Sequence, residues 1–255
     1  MKINKIHNWD CIKTMKEKIE NNSISLIFAD PPYNLSWKNM KLTWNKTWWD
    51  WKKINEEWDT MAQEDYFKFT SDWIKESYRV LKDNWSIFIS ATYHNLGEVL
   101  INLKLNWFEI KNTITWYKSN SMPNVTKRTF THACEYIVWA VKWKWWTFNY
   151  EISKEINPEK QKNWDKKQMR DMWIIPLCQW KERLRWEDNK ALHPTQKPEE
   201  LLKRIILITS NEWDIVLDPF SWSGTTAYIA KKFNRNYIWI EKNKWYYDAS
   251  LKRLK

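Results

Sequence analysis

The chain has 255 residues, 42 lysines and arginines against 31 acids, a net charge of +11 and a pI near 9.3. Its length suits one α/β domain with an insertion, or a large and a small domain. The charge favours a polyanionic partner, although a solvated lysine-rich surface produced by AT-biased codon use gives the same number. Met1 to Asp10 is polar and no apolar run nears membrane-spanning length, so neither a secretory signal nor a membrane span is expected and the cytosol is the expected compartment. Three scattered cysteines and four isolated histidines indicate neither a disulfide framework nor a metal site.

Strand and helix patterns alternate along the chain, which predicts a mostly parallel α/β sheet. The first predicted strand, Ile24 to Ala29, runs straight into Asp30-Pro31-Pro32-Tyr33. That sequence suits chemistry on an exocyclic amine, whose lone pair is delocalised into its ring. A carboxylate and a backbone carbonyl are both acceptors, so each can take one N–H and return the lone pair to nitrogen. The prolines stiffen the backbone and add no competing donor, and the tyrosine offers a face for stacking. Inside a duplex such an amine is unreachable, so the motif implies a flipped base. Taken alone, the same four residues also read as an ordinary strand-ending turn.

Residues 34–60 show no alternation and are a candidate mobile flap. A helix is expected over 62–81, where Tyr66, Trp73, Ile74, Ser77, Tyr78 and Leu81 recur near a helical period. A strand at 86–90, a helix at 94–105 and strands at 108–117 and 133–141 follow. Between the last two lies the polar, basic loop Ser119 to Arg128, within a stretch where Lys111, Lys118, Lys127, Arg128 and Lys142 face one acid, Glu135. Residues 143–190 again lack alternation and are a candidate target-recognition insertion between a first part, 1–142, and a last part, 191–255. His193-Pro194-Thr195-Gln196-Lys197-Pro198 then feeds a helix at 198–210, with Pro198 at a position that suits the first turn. A strand at 214–218 enters the small-residue loop Asp218 to Gly224 and a helix at 225–233. A tight strand-to-helix loop of this kind brings backbone N–H groups and a helix N-terminus to a ligand. The strand 236–240 ends at Glu241, placed where an acid can take both hydroxyls of a ribose, before a last helix at 244–254.

In this order the amine motif, the His-Pro-Thr-Gln-Lys-Pro stretch, the Asp-Pro-Phe loop and the acid after the next strand resemble the beta-class DNA amino-methyltransferases, the DNA methylase N-4/N-6 family. The resemblance runs from about Asp10 to Tyr246. It implies a Rossmann-like methyltransferase fold, a mostly parallel twisted sheet with helices on both faces and a target-recognition insertion. It also implies S-adenosylmethionine as cofactor, wrapped by Asp218, Pro219, Phe220, Ser221, Trp222, Ser223, Gly224 and Thr225, with Glu241 on its ribose and Lys242 beside it. The family's N-terminal turn falls on Trp9-Asp10-Cys11, which implies Asp10 and Cys11 near the cofactor's adenine. His193, Thr195, Gln196 and Lys197 belong to the cofactor-side motif, and Asp30 faces both cofactor and base. The loop beside the target base implies DNA contacts from Lys118, Asn120, Asn124, Lys127 and Arg128.

One departure from the family stands out. Where it has Gly, this chain has Trp at Trp9, Trp85, Trp213, Trp222 and Trp239; only two glycines are present beside 23 tryptophans, against ~18 glycines at ordinary usage. Other tryptophans fall in turns that want a residue without Cβ, as in Asp83-Asn84-Trp85 and Asn106-Trp107. Many of these are expected to be glycines in the natural protein, encoded by a reassigned UGA codon. An indole at Trp222 would fill the space where backbone must approach the cofactor. Trp58, Trp73, Trp116, Trp139 and Trp173 sit in apolar patterns and read as genuine tryptophans. Trp44, Trp48, Trp49 and Trp51 stay open. In the cluster Trp143, Trp145 and Trp146 a Lys-Gly-Lys-Gly-Trp hairpin turn, with glycine at 143 and 145, is favoured over an aromatic stacking patch.

The expected activity is methyl transfer from S-adenosylmethionine to adenine N6 in double-stranded DNA, with Asp30, Pro31, Pro32 and Tyr33 as the catalytic set and no metal. Cytosine N4 methylation is the alternative, for which the family more often has Ser in place of Asp30; a catalytically silent DNA-binding module is another if the tryptophans are real. Pro176-Leu177-Cys178 lacks the Pro-Cys pair that cytosine ring-carbon methylation needs. A restriction endonuclease counterpart, a homodimer and a nucleoid location are all compatible with the resemblance.

Overall fold

A computed structural model describes residues 1–34, 61–124, 127–162, 165–179, 182–186, 189, 191–193 and 195–254. The expected flap at 34–60, apart from Asn34, lies outside these residues, as do Trp44, Trp48, Trp49, Trp51, Trp58 and Pro194. The element order is β1 (Lys5–His7), α1 (Cys11–Lys18), β2 (Ile24–Ala29), α2 (Gln63–Val80), β3 (Leu81–Ala91), α3 (Leu96–Leu105), β4 (Glu109–Tyr117), β5 (Cys134–Lys142), α4 (Tyr150–Glu155), β6 (Met172–Ile174), α5 (Glu199–Thr209), β7 (Ile215–Asp218), α6 (Thr225–Lys232), β8 (Asn236–Ile240) and α7 (Lys244–Leu254).

The eight strands form one sheet in the order β1-β8-β7-β2-β3-β5-β4-β6. All neighbours are parallel except at β5, which runs antiparallel to both β3 and β4. Every residue of β2 is buried, as expected of a central strand covered on both faces. Its alternation divides the core. Ile27 and Ala29 join Met15 of α1, Trp73 and Ile74 of α2 and Val99 and Leu103 of α3 on one face. Leu26 and Phe28 join Leu201, Leu202, Ile205 and Ile206 of α5 and Ile229 of α6 on the other. The fold is therefore a Rossmann-like α/β arrangement, a mostly parallel sheet with helices on both faces.

One strand starts earlier than its sequence suggests. Asp83-Asn84-Trp85 reads as a turn, yet β3 begins at Leu81, and its register against β2 jumps from Ile24↔Leu81 to Leu26↔Ser86. The extra residues form a bulge, and the left-handed backbone there belongs to Asn84 (φ 70°), not to Trp85. The segment 143–190, read as lacking alternation, supplies the short helix α4 and the edge strand β6, which pairs with β4.

Candidate active site

Because β2, β7 and β8 are parallel, Asp30, Asp218 and Glu241 emerge at the same edge of the sheet. The chain order reverses between β2 and β7, and open α/β sheets bind ligands at the carboxyl ends of strands beside such a reversal. His7 at the end of β1 completes the rim, with its carbonyl accepting from the Glu241 amide at 2.9 Å.

Asp30 is buried. Lys197, which the sequence grouped with the cofactor, donates to its carboxylate at 2.8 Å, and the Tyr33 hydroxyl donates to it at 2.6 Å. That hydroxyl also lies 2.6 Å from Ser90 Oγ on β3. Pro32 is held from the far side by Tyr66 of α2, whose hydroxyl donates to its carbonyl at 2.9 Å. Burial, then the charge of Asp30, pushes the Tyr33 phenol well above its usual range. Burial works against a charged Lys197, but Asp30 and Glu135 beside it hold the ammonium above its ordinary value.

Glu241 is also buried, with Trp222 N–H at 2.8 Å on one oxygen and Asn243 N–H at 2.7 Å on the other. Burial outweighs these hydrogen bonds and raises its carboxyl to about 7. Asp218 is raised to about 7 for the same reason; its carboxylate accepts from Phe220 N–H at 3.0 Å. Pro219 carries the chain past it, and Phe220 turns inward, edge-on to Phe69 and Trp73 at 6.1 and 5.3 Å. Ser221 Oγ is buried without a hydrogen-bond partner. Ser223 Oγ lies 3.2 Å from Thr225 Oγ1, which also accepts from Arg253 at 2.9 Å. Gly224, the N-cap of α6, has φ 70°, a strained region for a residue with Cβ, and beside Trp239 an added Cβ would stand 2.8 Å from the ring.

Trp222 occupies the middle of this rim. Its Nε1 donates to the Asp30 carbonyl at 2.7 Å, and its ring lies 4.8 Å from that of His193 and 6.0 Å from that of Tyr246. Burial lowers His193 to about 3, so the imidazole is neutral. The Trp222 backbone is left-handed, φ 47°; Trp107, Trp143 and Trp213 share that region at 67°, 79° and 68°. Trp9, Trp85 and Trp239 do not, so backbone geometry singles out Trp213 and Trp222 among the five motif tryptophans. Trp116, Trp139 and Trp173 instead are buried and donate through Nε1 to Ile175 O, Ser86 Oγ and Arg170 O.

The remaining expected residues divide. Asp10 caps α1 through Lys13 N–H at 3.0 Å, and buried Cys11 opens that helix with its thiol pushed up by burial. Asn8 Nδ2 bonds the Glu241 and Lys242 carbonyls at 2.8 and 3.1 Å, which keeps this turn beside them. Thr195 N–H points at His193 Nδ1, 3.3 Å away. Gln196 uses both ends of its amide on backbone, Leu184 N–H and Glu182 O, so it fastens the preceding segment. In the β4–β5 connection, Lys118 is paired with Glu135, Asn120 holds both backbone groups of Leu177, and Asn124 bonds Thr129 and Lys127 N–H within the loop. Lys127 and Arg128 are exposed. Glu135 and Ser90 were missed as site residues, since a lone acid and a strand serine carry no motif.

Among the described residues no group of three or more His, Cys, Asp or Glu is gathered to hold a metal, and no helix is long and apolar enough to cross a membrane.

A DNA methylase family matches residues 24–252. The chain is 40% identical over 250 residues to Type II methyltransferase M2.MboI of Moraxella bovis, covering 97% of this chain and 86% of that protein. It is 39% identical over 258 residues to Type II methyltransferase M.HinfI of Haemophilus influenzae, covering 99% of this chain and 68% of the relative. A solved complex of M1.HpyAVI with SAM superposes with a TM-score of 0.69 at 28% identity, over 98% of each chain. The cytosine-N4-specific PvuII DNA methyltransferase shares the fold, with a TM-score of 0.74 at 19% identity over 98% of this chain and 86% of that one. The chain therefore belongs to the N-4/N-6 DNA methylase family. It is a DNA methyltransferase.

Proposed function

We propose that this chain methylates the exocyclic N6 of an adenine flipped out of duplex DNA, using S-adenosylmethionine. The observation that carries the reading is the buried Asp30 carboxylate, at a strand end beside those of Asp218 and Glu241. Asp30 and the Pro31 carbonyl accept the two amine hydrogens, which returns the lone pair to nitrogen, while Pro32 keeps that turn rigid and the Tyr33 ring stacks on the base. Positioning and electrostatics then carry the rate. An aspartate rather than a serine at position 30 favours adenine over cytosine.

The residues around the rim suit a nucleoside cofactor. The loop after β7 carries the orphaned Ser221 hydroxyl, donates Trp222 N–H to the Glu241 carboxylate and leads into the N-terminus of α6. Glu241 accepts from the ribose hydroxyls, Asp10 and Cys11 lie toward the adenine with Lys242 beside them, and His193, Thr195 and the loop Asp218 to Thr225 close the other side. When bound, S-adenosylmethionine supplies a methyl group activated by a sulfonium, so no covalent enzyme intermediate is required. The indole of Trp222 is the one group that does not fit, and the reading applies to the protein with glycine there. Duplex DNA is the substrate, reached through Lys127 and Arg128, and a restriction endonuclease of the same site is the functional counterpart.

The test is transfer of radiolabelled methyl from S-adenosylmethionine to plasmid DNA by the Trp222→Gly chain, followed by nucleoside mass spectrometry. N6-methyladenine is expected. N4-methylcytosine would move the assignment to the cytosine amine, and cofactor binding without either product would refute an active enzyme. Light scattering of the same preparation distinguishes monomer from homodimer.

A further inference from the structure

Four charges of alternating sign run through the interior from the β4–β5 connection to the amine motif. Lys118 reaches one oxygen of Glu135 at 3.1 Å. The other oxygen, Oε2, is buried with no hydrogen-bond partner and lies 3.7 Å from the Lys197 ammonium. Lys197 in turn donates to Asp30 at 2.8 Å and to the Tyr33 hydroxyl at 3.1 Å. A buried carboxylate oxygen left without a donor is costly, and such a group calls for an explanation.

The explanation lies in a conflict at Asp30. To draw the lone pair of the target amine onto nitrogen, Asp30 must accept an N–H, yet Lys197 and Tyr33 already occupy its carboxylate. Releasing Lys197 outright would leave a buried cation unpaired. Glu135 removes the conflict, because its free oxygen stands next to the same ammonium. We propose, on the reading of Asp30 as the amine acceptor, that Glu135 is a positioning residue for methyl transfer: it takes Lys197 over as the target amine claims Asp30. The two carboxylates then share one cation throughout. As the nitrogen–carbon bond forms from the amine lone pair, the carbon–sulfur pair returns to sulfur. The methylated nitrogen then sheds its extra proton by way of Asp30 to solvent.

Several elements supply the groups facing Asp30. Lys197 comes from the segment before α5, Glu135 from β5 with Lys118 behind it, Asp218 from β7, and Tyr33 from its own loop with Ser90 of β3 behind it. Removing the Glu135 charge leaves Lys197 wholly on Asp30, with no second carboxylate to take the cation when the amine arrives.

In a Trp222→Gly parent, Glu135→Gln should lower single-turnover methylation about tenfold or more and leave the Kd for S-adenosylmethionine within about twofold, with Glu135→Asp restoring part of the rate. A lower rate at unchanged cofactor affinity, partly restored by the shorter carboxylate, is what a merely structural role would not produce. Full activity in Glu135→Gln overturns this proposal alone. A parent that methylates nothing overturns the functional reading beneath it.

Discussion

Replacing Trp222 by glycine is expected to strengthen S-adenosylmethionine binding while leaving folding stability nearly unchanged. Trp222 is held at φ 47°, a conformation that costs a residue with Cβ roughly 1–2 kcal/mol. Against that stand one indole hydrogen bond to the Asp30 carbonyl at 2.7 Å and the ring contact with His193 at 4.8 Å, together about 1–3 kcal/mol. The two nearly cancel in folding. They do not cancel in binding, because a ligand reaching Glu241 must first displace the indole and forfeit those contacts. A displacement cost of about 1–3 kcal/mol weakens binding roughly 5- to 150-fold. Isothermal titration calorimetry on both forms measures the ratio, and urea denaturation measures the stability difference. Equal affinity in the two forms would refute the steric argument. The coding sequence tests its origin separately: UGA at codon 222, with glycine in the corresponding peptide of the natural protein, is the expected result, and UGG there would refute the recoding.

Trp107, Trp143 and Trp213 are 81%, 62% and 71% exposed with positive φ, so glycine at each loses little contact and relieves backbone strain. Each replacement should raise stability by about 0.5–1 kcal/mol, read as a higher urea midpoint; a lower midpoint would contradict the strain. Asp30→Ala should abolish methyl transfer yet keep S-adenosylmethionine affinity within roughly tenfold, about 1.4 kcal/mol, and near-normal methylation of a specific duplex would sink the assignment. Alanine at Lys127 and Arg128 should weaken DNA binding and flatten the slope of log affinity against log salt, because phosphate contacts release counterions; an unchanged slope places these side chains off the backbone. Affinity for S-adenosylmethionine should fall as pH drops through about 7, where burial holds the Glu241 carboxyl, since the protonated acid accepts ribose hydroxyls less well. Calorimetry at pH 6 and pH 8 checks the sign, and tighter binding at the lower pH would remove Glu241 from the ribose.

The sheet was readable where strand residues are mostly apolar. The ranges expected for β2 and β8, 24–29 and 236–240, coincide with those observed, because these inner strands are largely apolar, Ser25 and Asn236 apart. The strands β1 and β6 are three residues each, too short for a period to register, and each borrows its definition from one neighbour, β8 and β4 respectively. The early start of β3 was hidden by Asp83-Asn84-Trp85, since turn composition and a bulge look alike before the partner strand is known. Half of the site was legible for a related reason. Asp30, Asp218 and Glu241 follow strands, so their position along the chain fixes their place in space. Glu135 lies at the start of β5, the one antiparallel strand, and only that reversal turns its amino end toward the carboxyl ends of β2 and β7. A residue brought to the site by strand direction leaves no local signature, whereas a left-handed turn does: Asn106-Trp107 and the loop around Trp222 were expected to want glycine, and both adopt positive φ.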